Sequence, residues 1–275
     1  MRATKLPKEK FYKDLRFYGW FTVKTEDVTF KMHHHGATIE NEIFWKGIQG
    51  YEKYSLKIWT LLSKNSKVIV DVGANSGIYT LLAAAENTAS AILSFEPSRI
   101  TYERLLKNIE YNGFRNVSTM NVAVSNKNGT ATLYDVIDPN QTSASLEMEM
   151  AHQTHSSNRY EVSTRTLDLL LEEFESHEVD LIKIDVELHE IAVLEGFARG
   201  LQQFNPAFII EVLKDAIGLQ IVQHLPADRY LYFYIDEKNG LKQRDSVYAD
   251  KSFNYLFIPR SRADYLKLID PLIVR

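Results

Sequence analysis

The chain has no cysteine. That absence excludes a disulfide framework, a thiolate-bound zinc, an iron–sulfur cluster and a thiol nucleophile. It also lacks an excess of positive charge. Its 32 basic and 36 acidic residues leave a formal charge of −4, which argues against non-specific nucleic-acid binding as the main role. No uninterrupted apolar run approaches the roughly 18 residues that a membrane span needs. Met1 to Pro7 contain no apolar stretch of the kind a signal peptide carries. Internal repeats and low-complexity tracts are missing too. The expectation is a soluble, cytoplasmic, globular protein with neither nucleic acid nor membrane as partner. Its 275 residues suffice for one large domain with additions or for two small ones.

Residues 1–50 carry scattered aromatics (Phe11, Tyr12, Phe17, Tyr18, Trp20, Phe21, Phe30) and short alternations that suit strands, so they read as a small β-rich N-terminal extension. Residues 51–275 read as the main domain, opening with a helix over Tyr51 to Leu62. From Lys67 onward short apolar runs alternate with helical periodicity. Strands are expected at Val68–Asp71, Ala91–Phe95, Val117–Val124, Leu181–Val186 and Ala207–Val212. Helices are expected at Ile78–Asn87, from Pro97-Ser98 to Asn112-Gly113, at Leu167–Phe174 and at His189–Leu201. That alternation implies right-handed βαβ units and a parallel sheet with helices on both faces. Asp135 to Tyr160 is polar and too long for a simple connection, so it reads as a functional loop near the acceptor site. Tyr230–Ile235, a turn at Lys238-Asn239-Gly240 and Tyr255–Ile258 suggest late strands with an antiparallel pair.

The most informative stretch is Val70-Asp71-Val72-Gly73-Ala74-Asn75-Ser76-Gly77, between the first buried strand and its helix. In an open parallel sheet ligands sit at the carboxyl ends of the strands, and glycines there let the backbone approach a ligand closely. The spacing is Gly-x-x-x-Gly. It lacks the middle glycine that a dinucleotide pyrophosphate requires and the Gly-Lys-Ser/Thr that cradles a triphosphate. Glu96 ends the second strand, nineteen residues after Gly77, where a carboxylate can accept both hydrogens of a ribose diol. Loop and acid together describe a nucleoside with a small charged appendage, such as S-adenosylmethionine. The alternative is a glycine-rich turn with an incidental acid.

Asp71-Val-Gly-Ala-Asn-Ser-Gly77, Phe95-Glu-Pro97, Thr166-Leu-Asp168 and Lys183-Ile-Asp-Val-Glu187 resemble, in order and spacing, the FkbM-type S-adenosylmethionine-dependent methyltransferases, over about residues 51–212. The resemblance implies an α/β class I methyltransferase (Rossmann-like) fold, with a seven-stranded, mostly parallel sheet whose last strand is antiparallel. It implies that Asp71, Gly73, Asn75 and Gly77 line the methionine moiety, that Glu96 holds the ribose, and that Val122 and Ala123 lie beside adenine. It also implies O-methylation of a hydroxyl on a small molecule, sugar or glycan. The pattern departs at one place: Leu188 stands where the family has Gly. If that position needs positive φ, Leu costs roughly 1–2 kcal/mol there; if the Gly makes room for substrate, Leu narrows the pocket.

An aliphatic hydroxyl is a poor nucleophile, so a positioned base or a metal ion helps it react. Strand alternation places Lys183, Asp185 and Glu187 on one side, with the two acids at the carboxyl end of the fourth strand. Asp185, Glu187 and His189 are the candidate catalytic residues. Glu211 could join them, as a proton acceptor or in an oxygen-rich divalent site; no metal is expected. The alternative reading makes Lys183–Asp185 a structural ion pair and Glu187 with Glu190 ordinary first-turn acids. Two other functions stay open: an NAD(P)-binding oxidoreductase, and a non-catalytic nucleoside-binding module. His33-His34-His35 lacks spaced metal-ligand partners. Met148, Met150, His152, His155 and Ser143-Ala-Ser145 could cover an acceptor. Tyr230, Tyr232 and Tyr234 share one strand face and read as packing residues.

Overall fold

The computed structural model describes residues 15–136, 144–147 and 157–274. The chain opens with an antiparallel hairpin, β1 (Gly19–Lys24) and β2 (Thr29–His34), then helices α1 (Thr38–Lys46) and α2 (Lys53–Ser63). The first fifty residues are therefore not simply β-rich, since α1 follows the hairpin. Phe21, Val23, Phe30 and Met32 of the hairpin are buried in one core with Trp59 and Leu62 of α2. The histidine triplet belongs to this packing: the His34 ring accepts from Gly36 N–H at 2.9 Å and lies edge-on to Phe17, while His33 lies edge-on to Trp20.

The βαβ rhythm follows as expected: β3 (Val68–Val72), α3 (Ile78–Glu86), β4 (Ala91–Phe95), α4 (Arg99–Asn112) and β5 (Val117–Met120). Asn112-Gly113 ends α4 because Gly113 takes a left-handed conformation and its N–H caps the last turn. The expected single strand over Val117–Val124 divides. Asn121 donates its side-chain amide to Glu96 O (2.7 Å) and Pro97 O (2.9 Å), and β6 (Ala123–Val124) pairs in a different sheet. That sheet also contains β7 (Gly129–Val136), β8 (Ala144–Ser145) and β9 (Ser157–Arg165), in the order β6-β9-β7-β8. Both flanks of the expected loop at Asp135 to Tyr160 are thus strands. Met148, Met150, His152, His155 and Ser143 lie outside the described residues.

The second half supplies α5 (Leu167–Glu173), β10 (Leu181–Ile184), α6 (Glu190–Glu195), α7 (Ala198–Phe204), β11 (Ala207–Glu211), α8 (Asp215–His224), β12 (Tyr230–Asp236), β13 (Gly240–Arg244), β14 (Asn254–Pro259) and α9 (Ala263–Ile269). The expected helix over His189–Leu201 is two helices. Gly196 passes so close to the Ser125 carbonyl that a Cβ would lie 2.1 Å from its oxygen, and the chain turns there. The Thr166-Leu-Asp168 motif fastens this region. The Thr166 hydroxyl accepts from Leu169 N–H, and Asp168 accepts from the backbone N–H groups of Arg199 and Gly200 at 3.0 and 2.9 Å.

The main sheet runs β13-β12-β14-β11-β10-β3-β4-β5. Strands β5, β4, β3, β10 and β11 are mutually parallel, and β14 inserts antiparallel between β11 and β12. This is the expected class I arrangement with one addition: β13 pairs antiparallel on the outer edge and raises seven strands to eight. Alternation divides the buried strands between two cores. Ile69, Leu181 and Ile209 face the side of α2 and α3, whereas Val70, Ile182, Ile184 and Phe208 face the other side with Tyr230, Tyr232 and Tyr234. Among the described residues no helix is long and apolar enough to cross a membrane.

Candidate functional site

A cavity opens at the carboxyl ends of β3, β4 and β10. On its floor the loop after β3 turns inward. The N–H groups of Gly73 and Ala74 both donate to Phe95 O, at 2.9 and 3.0 Å, which ties the loop to the end of β4. Gly73 has φ 81°, and a Cβ on it would lie 1.8 Å from the Asp185 carbonyl oxygen. Only glycine lets the loop run this close to the end of β10. Asn75 has φ 51°, and its N–H donates to Glu96 Oε2 at 2.9 Å; Ser98 N–H donates to Glu96 Oε1, also at 2.9 Å. Each oxygen of Glu96 thus holds one backbone donor and keeps a further acceptor site. Burial pushes Glu96 up to about 7 despite those two hydrogen bonds.

Two of the expected cofactor residues do not line the cavity. Asp71 is buried beneath the loop, where Oδ2 accepts from the Thr80 hydroxyl at 2.6 Å, and that hydroxyl lies 2.7 Å from Ser94 Oγ. Burial raises Asp71 to about 6, and Thr80 opposes the shift. Gly77 begins α3 and packs against Leu105. Gly73, Asn75, Glu96, Val122 and Ala123 do line the cavity, and Val124, Leu133, Ala144 and Leu146 extend its apolar wall.

The opposite end is acidic. Asp185, Glu187 and Glu211 line it, and among the described residues no Lys or Arg does. Lys183 is buried behind Asp185, its ammonium 2.9 Å from Asp185 Oδ2 and 5.0 Å from the centre of the Tyr79 ring. Burial alone would lower Lys183; the Asp185, Glu52 and Glu211 carboxylates outweigh it and raise the lysine instead. The expected alternation ends early, because β10 stops at Ile184 and both Glu187 (φ 55°) and Leu188 (φ 78°) are left-handed. Leu188 therefore occupies a glycine-type conformation. It packs against the second core and does not line the cavity.

His189 has both ring nitrogens engaged. Nδ1 is 2.7 Å from Glu147 Oε1 and Nε2 is 2.9 Å from Ser125 Oγ. The Ser145 hydroxyl donates to Glu187 O at 2.6 Å. Together these contacts fasten residues 144–147 beside the cavity, which His189, Ala144 and Leu146 line.

The model of the FkbM methyltransferase domain matches residues 71–243. The chain belongs to this family. S-adenosylmethionine is the family's cofactor. Among solved structures, the FkbM methyltransferase from Methylobacillus flagellatus KT is 15% identical over 70% of this chain and 43% of that one, with a TM-score of 0.46. The FkbM-family chain thus spans less than half the length of that structure. An O-methyltransferase from Bacillus cereus, solved with S-adenosylhomocysteine, is 13% identical over 74% of this chain and 78% of that one, with a TM-score of 0.42. A SAM-dependent methyltransferase from Agrobacterium tumefaciens is 8% identical over 88% and 71%, with a TM-score of 0.45. No curated protein sequence gives a significant match.

The residues present suit the family's cofactor. The inward-turned backbone of Gly73 to Asn75, a carboxylate with acceptor sites to spare and an apolar wall lie in one cavity, a set that suits a nucleoside with a small charged appendage. Among the described residues no cluster of three His, Asp or Glu side chains has the geometry to hold a metal. Sequence reasoning missed Tyr51, Glu52 and Tyr79. Tyr51 and Tyr79 line the acidic end, and the Tyr79 hydroxyl donates to Glu52 Oε2. Burial raises Glu52 and nearby Lys183 lowers it. Glu147 and Ser125 were missed as well. None of these five has a local motif; only the tertiary fold brings Tyr51 and Tyr79 to the cavity and sets Glu52, Ser125 and Glu147 against its lining residues.

Proposed function

We propose that this FkbM-family protein transfers a methyl group from S-adenosylmethionine to a hydroxyl oxygen of a small molecule, sugar or glycan. One observation carries the reading: the cavity has a nucleoside-like end built from Gly73, Asn75, Glu96 and Val122–Val124, and its other end is lined by carboxylates. The bound cofactor supplies an electrophilic methyl on a positively charged sulfur. Glu96 receives the ribose diol, Val122 and Ala123 flank the adenine, and the backbone of Gly73 and Asn75 receives the methionine end. Asp71 holds α3 to the sheet through Thr80, and Gly77 gives α4 room to pack. Asp185 and Glu187 face the acceptor hydroxyl and orient it, while His189 keeps residues 144–147 beside the site. Tyr51, from the segment before α2, forms part of the acceptor wall, which ties the N-terminal region to substrate choice.

Titration calorimetry tests the reading. S-adenosylmethionine and S-adenosylhomocysteine are expected to bind and NAD(P) is not, and turnover of methyl-labelled cofactor is expected with a panel of hydroxylated acceptors. Failure of both adenosyl ligands to bind would overturn it.

A further inference from the structure

Glu211 ends β11 and enters the cavity beside Asp185. Its Oε2 is buried and, among the described residues, has no hydrogen-bond partner. The other acids nearby are differently placed: Asp185 bonds Lys183, Glu52 accepts from Tyr79, and Glu96 holds two backbone N–H groups. The charged groups facing Glu211 are Asp185 and Lys183 from β10, Glu187 from the turn after it and Glu190 from α6. Tyr51 approaches from the segment before α2, and Asn254 is its register partner on β14. Lys183 is the one cation in this set, and its ammonium already bonds Asp185. A carboxyl with a bare oxygen, three acidic neighbours and little water favours its neutral form. Burial accordingly pushes Glu211 well above the usual carboxylate range, Asp185 and Glu187 push it further, and Lys183 opposes them.

We propose that Glu211 is a charge-sensing base, neutral until a ligand with a positive sulfur enters the cavity, then ionised and ready to take the acceptor's proton. The proposal rests on the cavity being the S-adenosylmethionine site. A cation placed beside a buried, unpaired carboxyl stabilises its ionised form, so the proton leaves when the methyl donor arrives. The base is then strongest when a methyl group is present to be transferred. As the acceptor oxygen bonds to the methyl carbon, its O–H bond breaks and the proton passes to Glu211 Oε2. The electron pair of the breaking carbon–sulfur bond stays on sulfur, which becomes neutral. Glu211 is then a neutral acid again, and no carboxylate charge remains for a positive sulfur to face.

The test needs no acceptor. Titration calorimetry in two buffers of different ionisation enthalpy counts the protons released on binding S-adenosylmethionine and, separately, S-adenosylhomocysteine, between pH 6.5 and 8.5. The two ligands share their adenosine and amino-acid ends, so proton release at Glu96 is common to both and the difference isolates the sulfur. S-adenosylmethionine is expected to release more, by roughly half a proton at some pH in that range. In Glu211→Gln the excess is expected to vanish while both ligands still bind. Equal proton release in the wild-type protein would overturn the proposal, as would an unchanged excess in Glu211→Gln. The wild-type pH series decides the first point even if the variant does not fold. Binding of neither ligand would instead remove the cofactor reading on which it rests.

Discussion

The two ends of the cavity are built on opposite principles. At one end Glu96 is satisfied on both oxygens by backbone N–H groups of ordered loops, with an apolar wall beside it. At the acceptor end carboxylates crowd together, the chain is left-handed at two successive non-glycine residues, and buried oxygens of Glu190 and Glu211 go unpaired among the described residues. A preorganised end binds a fixed ligand at little cost in ordering. An end held in unsatisfied electrostatics changes its protonation when charge arrives, which suits chemistry more than storage. If this contrast is correct, damage at the first end abolishes binding, and damage at the second alters pH dependence and turnover.

The harshest way to break the contrast is Gly73→Ala. Its methyl would overlap the Asp185 carbonyl at 1.8 Å, at a backbone φ of 81° that L-residues avoid. Main-chain atoms on both sides leave no flexible side chain to yield, so a loss of about 3 kcal/mol or more is expected, together with loss of cofactor binding. Urea unfolding and calorimetry check both. A variant of native stability would mean that β3 and β10 can separate, and that the nucleoside end is not rigid.

Next in size is Glu96→Ala. It removes the carboxylate that orders Asn75 and Ser98 and that would receive the ribose diol. Affinity for S-adenosylhomocysteine is expected to fall roughly 10- to 100-fold, the range for losing a charge-assisted hydrogen-bond acceptor. Unaltered affinity would discard the ribose role. Glu190→Gln, at the other end, is expected to leave that affinity unchanged.

A more gradual effect comes from pH. Asp71 is held at about 6, and Glu96 and Glu190 at about 7, chiefly by burial. Each binds its proton more tightly folded than unfolded, so each favours the folded state at low pH, and that contribution is lost as pH rises through the folded value. The ligand-free protein is therefore expected to lose stability progressively between pH 5 and pH 8. Glu96→Gln and Glu190→Gln should each flatten part of the slope. Stability that rises over this interval would contradict the burial of these carboxyls.

The Glu96 end of the cavity was far more legible in the sequence than its acidic end, and locality explains the difference. Gly73, Asn75 and Glu96 stand in one βαβ unit, where loop, strand end and carboxylate recur at short spacing. The acidic end is assembled from Tyr51, Tyr79, Asp185, Glu187 and Glu211, which lie on four separate segments. Asp185 and Glu187 were visible because they follow one buried strand two residues apart; Tyr51 and Glu52 carry no local signal at all. The fold errors have physical causes. The periodicity of His189–Leu201 is continuous, but the Gly196 contact with the Ser125 carbonyl is tertiary and breaks the helix. The alternation in Thr130, Thr132 and Tyr134 and in Tyr160, Val162 and Thr164 was available and would have placed β7 and β9.

Leu188 sharpens the contrast by the smallest margin. It stands at φ 78° where the resemblance implies Gly, and two explanations were open from sequence: a backbone that needs a left-handed residue, or a pocket that needs space. Since Leu188 packs on the second core and does not line the cavity, the backbone explanation holds. Leu188→Gly would relieve roughly 1–2 kcal/mol of left-handed strain. Against that, the added freedom of the unfolded chain costs about 0.4–1 kcal/mol, and the lost apolar packing of a half-buried leucine about 1 kcal/mol more. The terms nearly cancel, so stability is expected to change by less than about 1 kcal/mol and cofactor affinity not at all. A loss well beyond that in thermal or urea unfolding would show that the leucine packs more strongly than its position suggests. A change in acceptor preference would show that position 188 reaches the cavity after all.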